Sequence, residues 1–217
     1  SQGVATPKMF SLAMPEFHAE VSKMLADVPA AQWQSYLRFH AVDGASPYLS
    51  DAFVQENYDF YSKTLRGQKE LKERGKRVLD VIEGQTGEAL GQMYVKVAFT
   101  PESKARMETL VKNLSEALKL RIENLAWMGA DTKKKALEKW ASFEPRVGYP
   151  DKWREWTGLT TDRDSYIGNV MMARKFNYQW DIGKIGKPVD KTEWGMAPHP
   201  VNAQYHPLAN QITFPAA

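Results

Sequence analysis

A mainly α fold, a helical body followed by a C-terminal β-hairpin, is what this sequence predicts. Three observations carry that reading. Apolar residues recur at spacings of three and four over most of the chain, and capping residues stand at the starts and ends of those segments. Only the final stretch, residues 201–214, changes to two short β-type runs around a turn.

The first segment, Pro15 to about Ala26, places Phe17, Val21, Met24 and Leu25 on one face, and Val28-Pro29 ends it. A second, Ala30 to about Ala41, presents Trp33, Tyr36, Leu37 and His40 in the same way. The run from Asp43 to Pro47 reads as a turn-rich break. Ser50 is the expected cap of a third helix with the stripe Phe53, Val54, Tyr58, Tyr61 and Leu65, and Gly67 suits the position just past its end. Leu71, Val78, Leu79 and Ile82 predict a fourth helix. It is interrupted over residues 84–87 and resumes from Glu88 to Phe99, with Thr86 as the cap.

Thr100-Pro101-Glu102 combines a capping hydroxyl, a proline at the first helical position and an acid in the first turn. Leu110, Leu114, Leu118, Ile122 and Leu125 form the stripe that follows. Gly129 ends it, and Asp131 is the expected cap of a helix through Trp140 to Phe143. This helical hairpin is the most strongly signalled element. After Phe143 comes an aromatic-rich loop with Gly148, Tyr149, Pro150, Trp153, Trp156 and Gly158. A helix is expected from about Arg163 to Trp180, and glycines 183 and 186 stop it. Val201 to Tyr205 and Gln211 to Phe214 then read as two strands around a connection over residues 206–210. Two strands alone are marginal, so a body that ends on such a hairpin looks unfinished.

The totals narrow the function. Of 217 residues, 43% are hydrophobic and 25% charged, the balance of a folded globular protein rather than a disordered one. The 29 basic and 26 acidic residues nearly cancel, and the one basic triplet, Lys133 to Lys135, lies in a helical stretch as a solvated face. A nucleic-acid partner is therefore not expected. With no cysteine, disulfides, thiolate metal sites and cysteine nucleophiles are excluded from this sequence. No run approaches the ~18 apolar residues that cross a membrane. Ser1-Gln2-Gly3 opens without a signal-type segment or an initiating Met, so a processed or trimmed start is expected.

No catalytic constellation is visible in the residues themselves. The histidines are His18, His40, His199 and His206, and no two stand one helical turn apart as a zinc hydrolase would place them. A phosphate loop, a dinucleotide fingerprint and a Gly-x-Ser-x-Gly elbow are all absent. Trp33, Trp140 and Trp180 sit at helical spacings and read as core. Asp162 and Asp164 read as turn and cap residues rather than an acid pair.

A resemblance goes further. Val201-Asn202-Ala203-Gln204-Tyr205, followed by Asn210-Gln211-Ile212-Thr213-Phe214-Pro215-Ala216, resembles the Asn-Ala-x-Tyr strand and Asn-x-Ile-x-Phe-Pro-Ala continuation of the neprilysin and endothelin-converting enzyme family of zinc metallopeptidases. Trp127-Met128, Val147 to Asp151 with Trp153, and Val189 to Trp194 match in order and spacing. So does the run from Phe53 to Gly67.

The resemblance implies an internal fragment that ends before the family's zinc-binding helix. On that basis residues 1–180 are expected to be a helical, lid-like domain, and 181–217 the start of an incomplete catalytic domain. The complete enzyme would use zinc to hydrolyse oligopeptides. This chain would bind no zinc, would carry no catalytic residue, and would be inactive without the missing C-terminal catalytic half as its partner. Asn202 and Ala203 match the pair that aligns the substrate main chain, so they are the expected substrate-binding residues. Lack of cysteine fits a bacterial member better than the disulfide-rich animal ones, and an extracytoplasmic place, periplasmic or secreted, is expected. The alternative is a non-catalytic helical module that binds a peptide or a protein.

Overall fold

The computed structural model describes residue 5 and residues 7–217; the opening Ser1-Gln2-Gly3 lies outside the described residues. The chain divides into two units, Ser1–Arg77 with Gly158–Pro188, and Val78–Thr157 with Val189–Ala217. As the sequence predicts, the fold is mainly α.

In the first unit, α1 (Pro15–Asp27) starts with Pro15 in its first turn and ends where Val28 turns extended before Pro29. Trp33 on α2 (Ala30–Ala45) donates its indole N–H to Met24 O, tying the two helices at their junction. Helix α2 runs into the expected break and ends within it, at Ala45. Ser46, which is buried, donates its hydroxyl to Asp43 O and carries the chain into a 3₁₀ turn, Ser46–Tyr48.

Ser50 stands at the N-cap of α3 (Asp51–Asn57) with extended backbone, but its side chain makes no capping bond. The helix then widens into a π-helical stretch, Tyr58–Thr64, closed by Gly67 at φ 70° donating to Lys63 O. Val54 and Tyr58 are buried, and Tyr58 donates to Gln68 O. Their unit also holds α7 (Tyr166–Ile182), capped by the Ser165 hydroxyl, which accepts from Gly168 N–H. Val170 and Ala173 are its buried positions, and Arg174 donates to the Tyr48 hydroxyl at 3.0 Å.

Helix α4 spans Arg74–Ala98 and is bent at Thr86, whose φ of −135° and ψ of 33° leave the helical range. The expected interruption over residues 84–87 is therefore a kink rather than a loop. Thr86 donates its hydroxyl back to Ile82 O instead of capping, a bond that competes with the helical ladder.

In the second unit, α5 (Pro101–Asn124) begins as expected, with the Thr100 hydroxyl accepting from Ser103 N–H at 3.2 Å. Gly129, not Asp131, is the N-cap of α6 (Ala130–Ala141), and Asp131 sits in the first turn, where its charge favours the helix dipole. Trp140 donates its indole N–H to Ser115 O at 2.8 Å and fixes α6 on α5.

The hairpin is not isolated. Glu144–Gly148, read from sequence as the start of a loop, forms β1, and the sheet order is β1-β3-β2. β3 (Gln211–Pro215) is central, parallel to β1 with Val147 opposite Phe214, and antiparallel to β2 (Gln204–His206) with Tyr205 opposite Ile212. Glu144, Pro145 and Gly148 are poor strand formers, which hid β1. An edge position tolerates its proline. The expected strand over residues 201–205 is shifted toward the turn, so the ladder begins only at Gln204.

Candidate functional site

Strand β3 is buried at Gln211, Thr213 and Pro215, while all three residues of β2 are exposed. A central strand can be buried on one face and lined on both edges; an edge strand with one neighbour leaves its outer backbone groups unpaired. β2 is that strand, and Asn202 and Ala203 are the exposed residues leading into it. The Asn202 side-chain oxygen accepts from Ala203 N–H at 2.8 Å, so these two polar groups satisfy each other. Both sequence-predicted residues thus sit together, just before the ladder rather than within it.

The chain entering this strand is held from the other side of the sheet. Gln211 donates to Glu144 Oε2 at 2.6 Å and to Lys191 O at 3.3 Å, and Arg146 donates to Glu193 O. Asp190 accepts from the Thr192 hydroxyl at 2.7 Å and from Thr192 N–H at 2.8 Å. Those bonds hold its carboxyl below the usual carboxylate range, although it is exposed. Pro198 is fully buried, and its carbonyl accepts from Ala216 N–H just past β3.

His199 lies beside it. Its imidazole nitrogens are out of solvent and within hydrogen-bond reach of no protein group among the described residues; the Glu83 carboxylate on α4 stands 3.8 Å away. His206 on β2 is exposed and accepts from Ala209 N–H in the turn. His18 and His40 are exposed helical residues of the first unit. Among the described residues no group of three His, Asp or Glu side chains comes together as a metal site.

Two features went unseen in the sequence. One is Asn210, which reads as a plain turn residue but bonds to α6 and β2 and has a left-handed backbone, φ 51°. Asparagine in a turn is the signal for such a conformation. The other is a groove of about 450 Å³ between α5, α6 and the β2–β3 face, lined by Leu114, Leu118, Ile122, Trp140, Ile212 and Phe214. The apolar stripe of α5 therefore stays open, with Leu114 60% and Leu118 52% exposed.

Comparison with known proteins places this arrangement. The family model described as Peptidase family M13 matches residues 1–150. The chain belongs to peptidase family M13. The M13 match extends to curated relatives: an endothelin-converting enzyme homolog of Locusta migratoria is 32% identical over 189 residues, 84% of this chain and 26% of that protein. Human neprilysin is 30% identical over 210 residues, 93% of this chain and 28% of its own length. Among solved M13 structures, the zinc metalloprotease Zmp1 of Mycobacterium tuberculosis, in complex with inhibitor, aligns with a TM-score of 0.84 at 38% identity. It covers 93% of this chain and 30% of that one. The chain spans about a quarter of the length of the curated relatives named here. Among the described residues no helix is long and apolar enough to cross a membrane.

Proposed function

We propose that this chain is the helical and substrate-aligning part of a zinc-dependent M13 endopeptidase that cleaves oligopeptides. Residues 1–180 serve as the lid-like domain and 181–217 open the catalytic domain. The zinc ligands and catalytic groups come from polypeptide outside this sequence, and the chain alone is inactive. Its working place is extracytoplasmic.

The observation that carries this reading is the open outer edge of β2 with Asn202 and Ala203 exposed at its entrance. An extended peptide adds to such an edge through its own N–H and C=O groups, which orients it without strict sequence preference. The Asn202 amide can both donate to and accept from a peptide main chain. Because its oxygen is already bonded to Ala203 N–H, a peptide exchanges that bond for its own. The net gain is then only about 0.5–1.5 kcal/mol per hydrogen bond. The strand therefore aligns a substrate and does not hold it unaided. The open groove of Leu114, Leu118 and Phe214 supports the same reading, as a face that further M13 polypeptide covers.

The test is Asn202→Ala in the complete polypeptide that carries this chain, assayed on an oligopeptide. KM rises about tenfold with kcat nearly unchanged, the mark of lost ground-state alignment. An unchanged KM sinks the assignment of Asn202.

A further inference from the structure

Strand β2 has only three ladder residues, all of them exposed, which is too little to fix its own position. What fixes it is the turn that follows. Asn210 donates its side-chain amide to Lys139 O at 2.7 Å and to Ser142 Oγ at 2.9 Å. Its side-chain oxygen accepts the Tyr205 hydroxyl at 2.9 Å, and its backbone oxygen accepts Glu144 N–H at 3.0 Å. Both amide hydrogens and the carbonyl are thus used, each on a different group. The residue joins the C-terminal end of α6, the first residue of β1 and the middle of β2.

Lys139 lies in the last turn of α6 and Ser142 is its C-cap; Ser142 donates both its N–H and its hydroxyl to Lys139 O, and Asn210 adds a bond to each of these two groups. In return, the rigid α5–α6 pair locates the turn, and Tyr205 transmits that location to β2. Lys139 adds to it: its ammonium lies 5.8 Å from the centre of the Tyr205 ring. Tyr205 is two residues from Ala203 and three from Asn202, so a shift of the strand moves both.

We infer that Asn210 is a positioning residue for substrate, setting the pose of the Asn202–Ala203 edge from the end of α6. The inference rests on the substrate-aligning reading of that edge. Asparagine fits the role because it accepts the left-handed backbone and still offers two donors and an acceptor.

The experiment uses the complete polypeptide with Asn210→Gly, Asn202→Ala and the double variant. Glycine keeps the left-handed backbone at no steric cost and removes the side chain with its amide, and unchanged exchange at α5 shows that any loosening is local to the turn and β2. Two readouts are taken: amide hydrogen exchange over residues 204–206, and KM against kcat on an oligopeptide. Expected for Asn210→Gly are exchange faster at β2 with α5 unchanged, KM about tenfold higher, and kcat within about twofold. In the double variant KM rises no further than with Asn202→Ala alone, since both changes spoil one alignment. Unchanged exchange at β2 overturns the inference, as does faster exchange with KM unmoved while Asn202→Ala raises it. Additive KM effects also overturn it. If Asn202→Ala itself leaves KM unmoved, the underlying reading of the edge has failed and this inference falls with it; exchange alone then shows whether Asn210 pins the strand.

Discussion

Pro198 is seated against the bare Cα of Gly91 on α4, so closely that a Cβ there would overlap the proline ring. Both residues are buried, and the proline opens onto His199 and the segment that carries Asn202 into β2. Gly91→Ala should therefore lower stability by about 1–2 kcal/mol, because the overlap exceeds the gain of ~1 kcal/mol in helix propensity. Gly84, seven residues earlier on the same helix, has open space around it. There alanine should instead stabilise by about 0.5–1 kcal/mol. Thermal unfolding of the two variants separates the cases, and equal shifts would mean that the Pro198 contact is not as tight as described.

Two capping positions that look alike in sequence should behave differently. Thr100 accepts a hydrogen bond from Ser103 N–H, whereas Ser50 makes no side-chain capping bond. Thr100→Ala should cost ~1 kcal/mol of stability. Ser50→Ala should stay within about 0.5 kcal/mol. Chemical denaturation gives both numbers.

These contrasts show what the sequence could and could not reveal. Thr100-Pro101-Glu102 encodes a helix start locally, and α5 begins there. Gly67 and its positive φ were likewise legible, since few residues other than glycine take that conformation readily. Residues 84–87 read as an interruption with Thr86 as a cap, not as a kink at Thr86, because whether the chain recovers its helix depends on packing beyond the local run. β1 was missed because its residues are poor strand formers, and its partner lies 67 positions later, at Gln211 opposite Glu144. At the site, Asn202 and Ala203 were named only through family resemblance. Their composition is that of any loop, and the role of Asn210 depends on Lys139 and Ser142, about seventy residues away.

The turn before the site should respond to pH with a definite sign. Asp190 has a carboxyl held below its ordinary range by the Thr192 hydroxyl and N–H. The unfolded state then binds a proton more readily than the folded one, so this contribution is present above the ordinary carboxylate pKa and is lost as pH falls through the lowered folded value. Asp190→Asn should destabilise at neutral pH, and the difference should vanish in acid. Thr192→Val should raise the Asp190 pKa toward the ordinary range, readable by NMR titration. A destabilisation independent of pH would assign the effect to packing rather than to the carboxylate.

Zinc content tests the division of labour most directly. The nitrogens of His199 make no hydrogen bond among the described residues, with the Glu83 carboxylate 3.8 Å away, and His206 is engaged by Ala209 N–H in its own turn. A catalytic zinc needs three protein ligands around one point, and the described residues gather no such set. The chain expressed alone and dialysed against zinc should therefore retain well under one ion per molecule. The complete polypeptide should retain about one. His199→Ala and His206→Ala should leave zinc in the complete polypeptide unchanged when it is measured by elemental analysis. Stoichiometric zinc in the isolated chain, lost on either substitution, would move the metal site into this sequence and overturn the proposal that its ligands lie elsewhere.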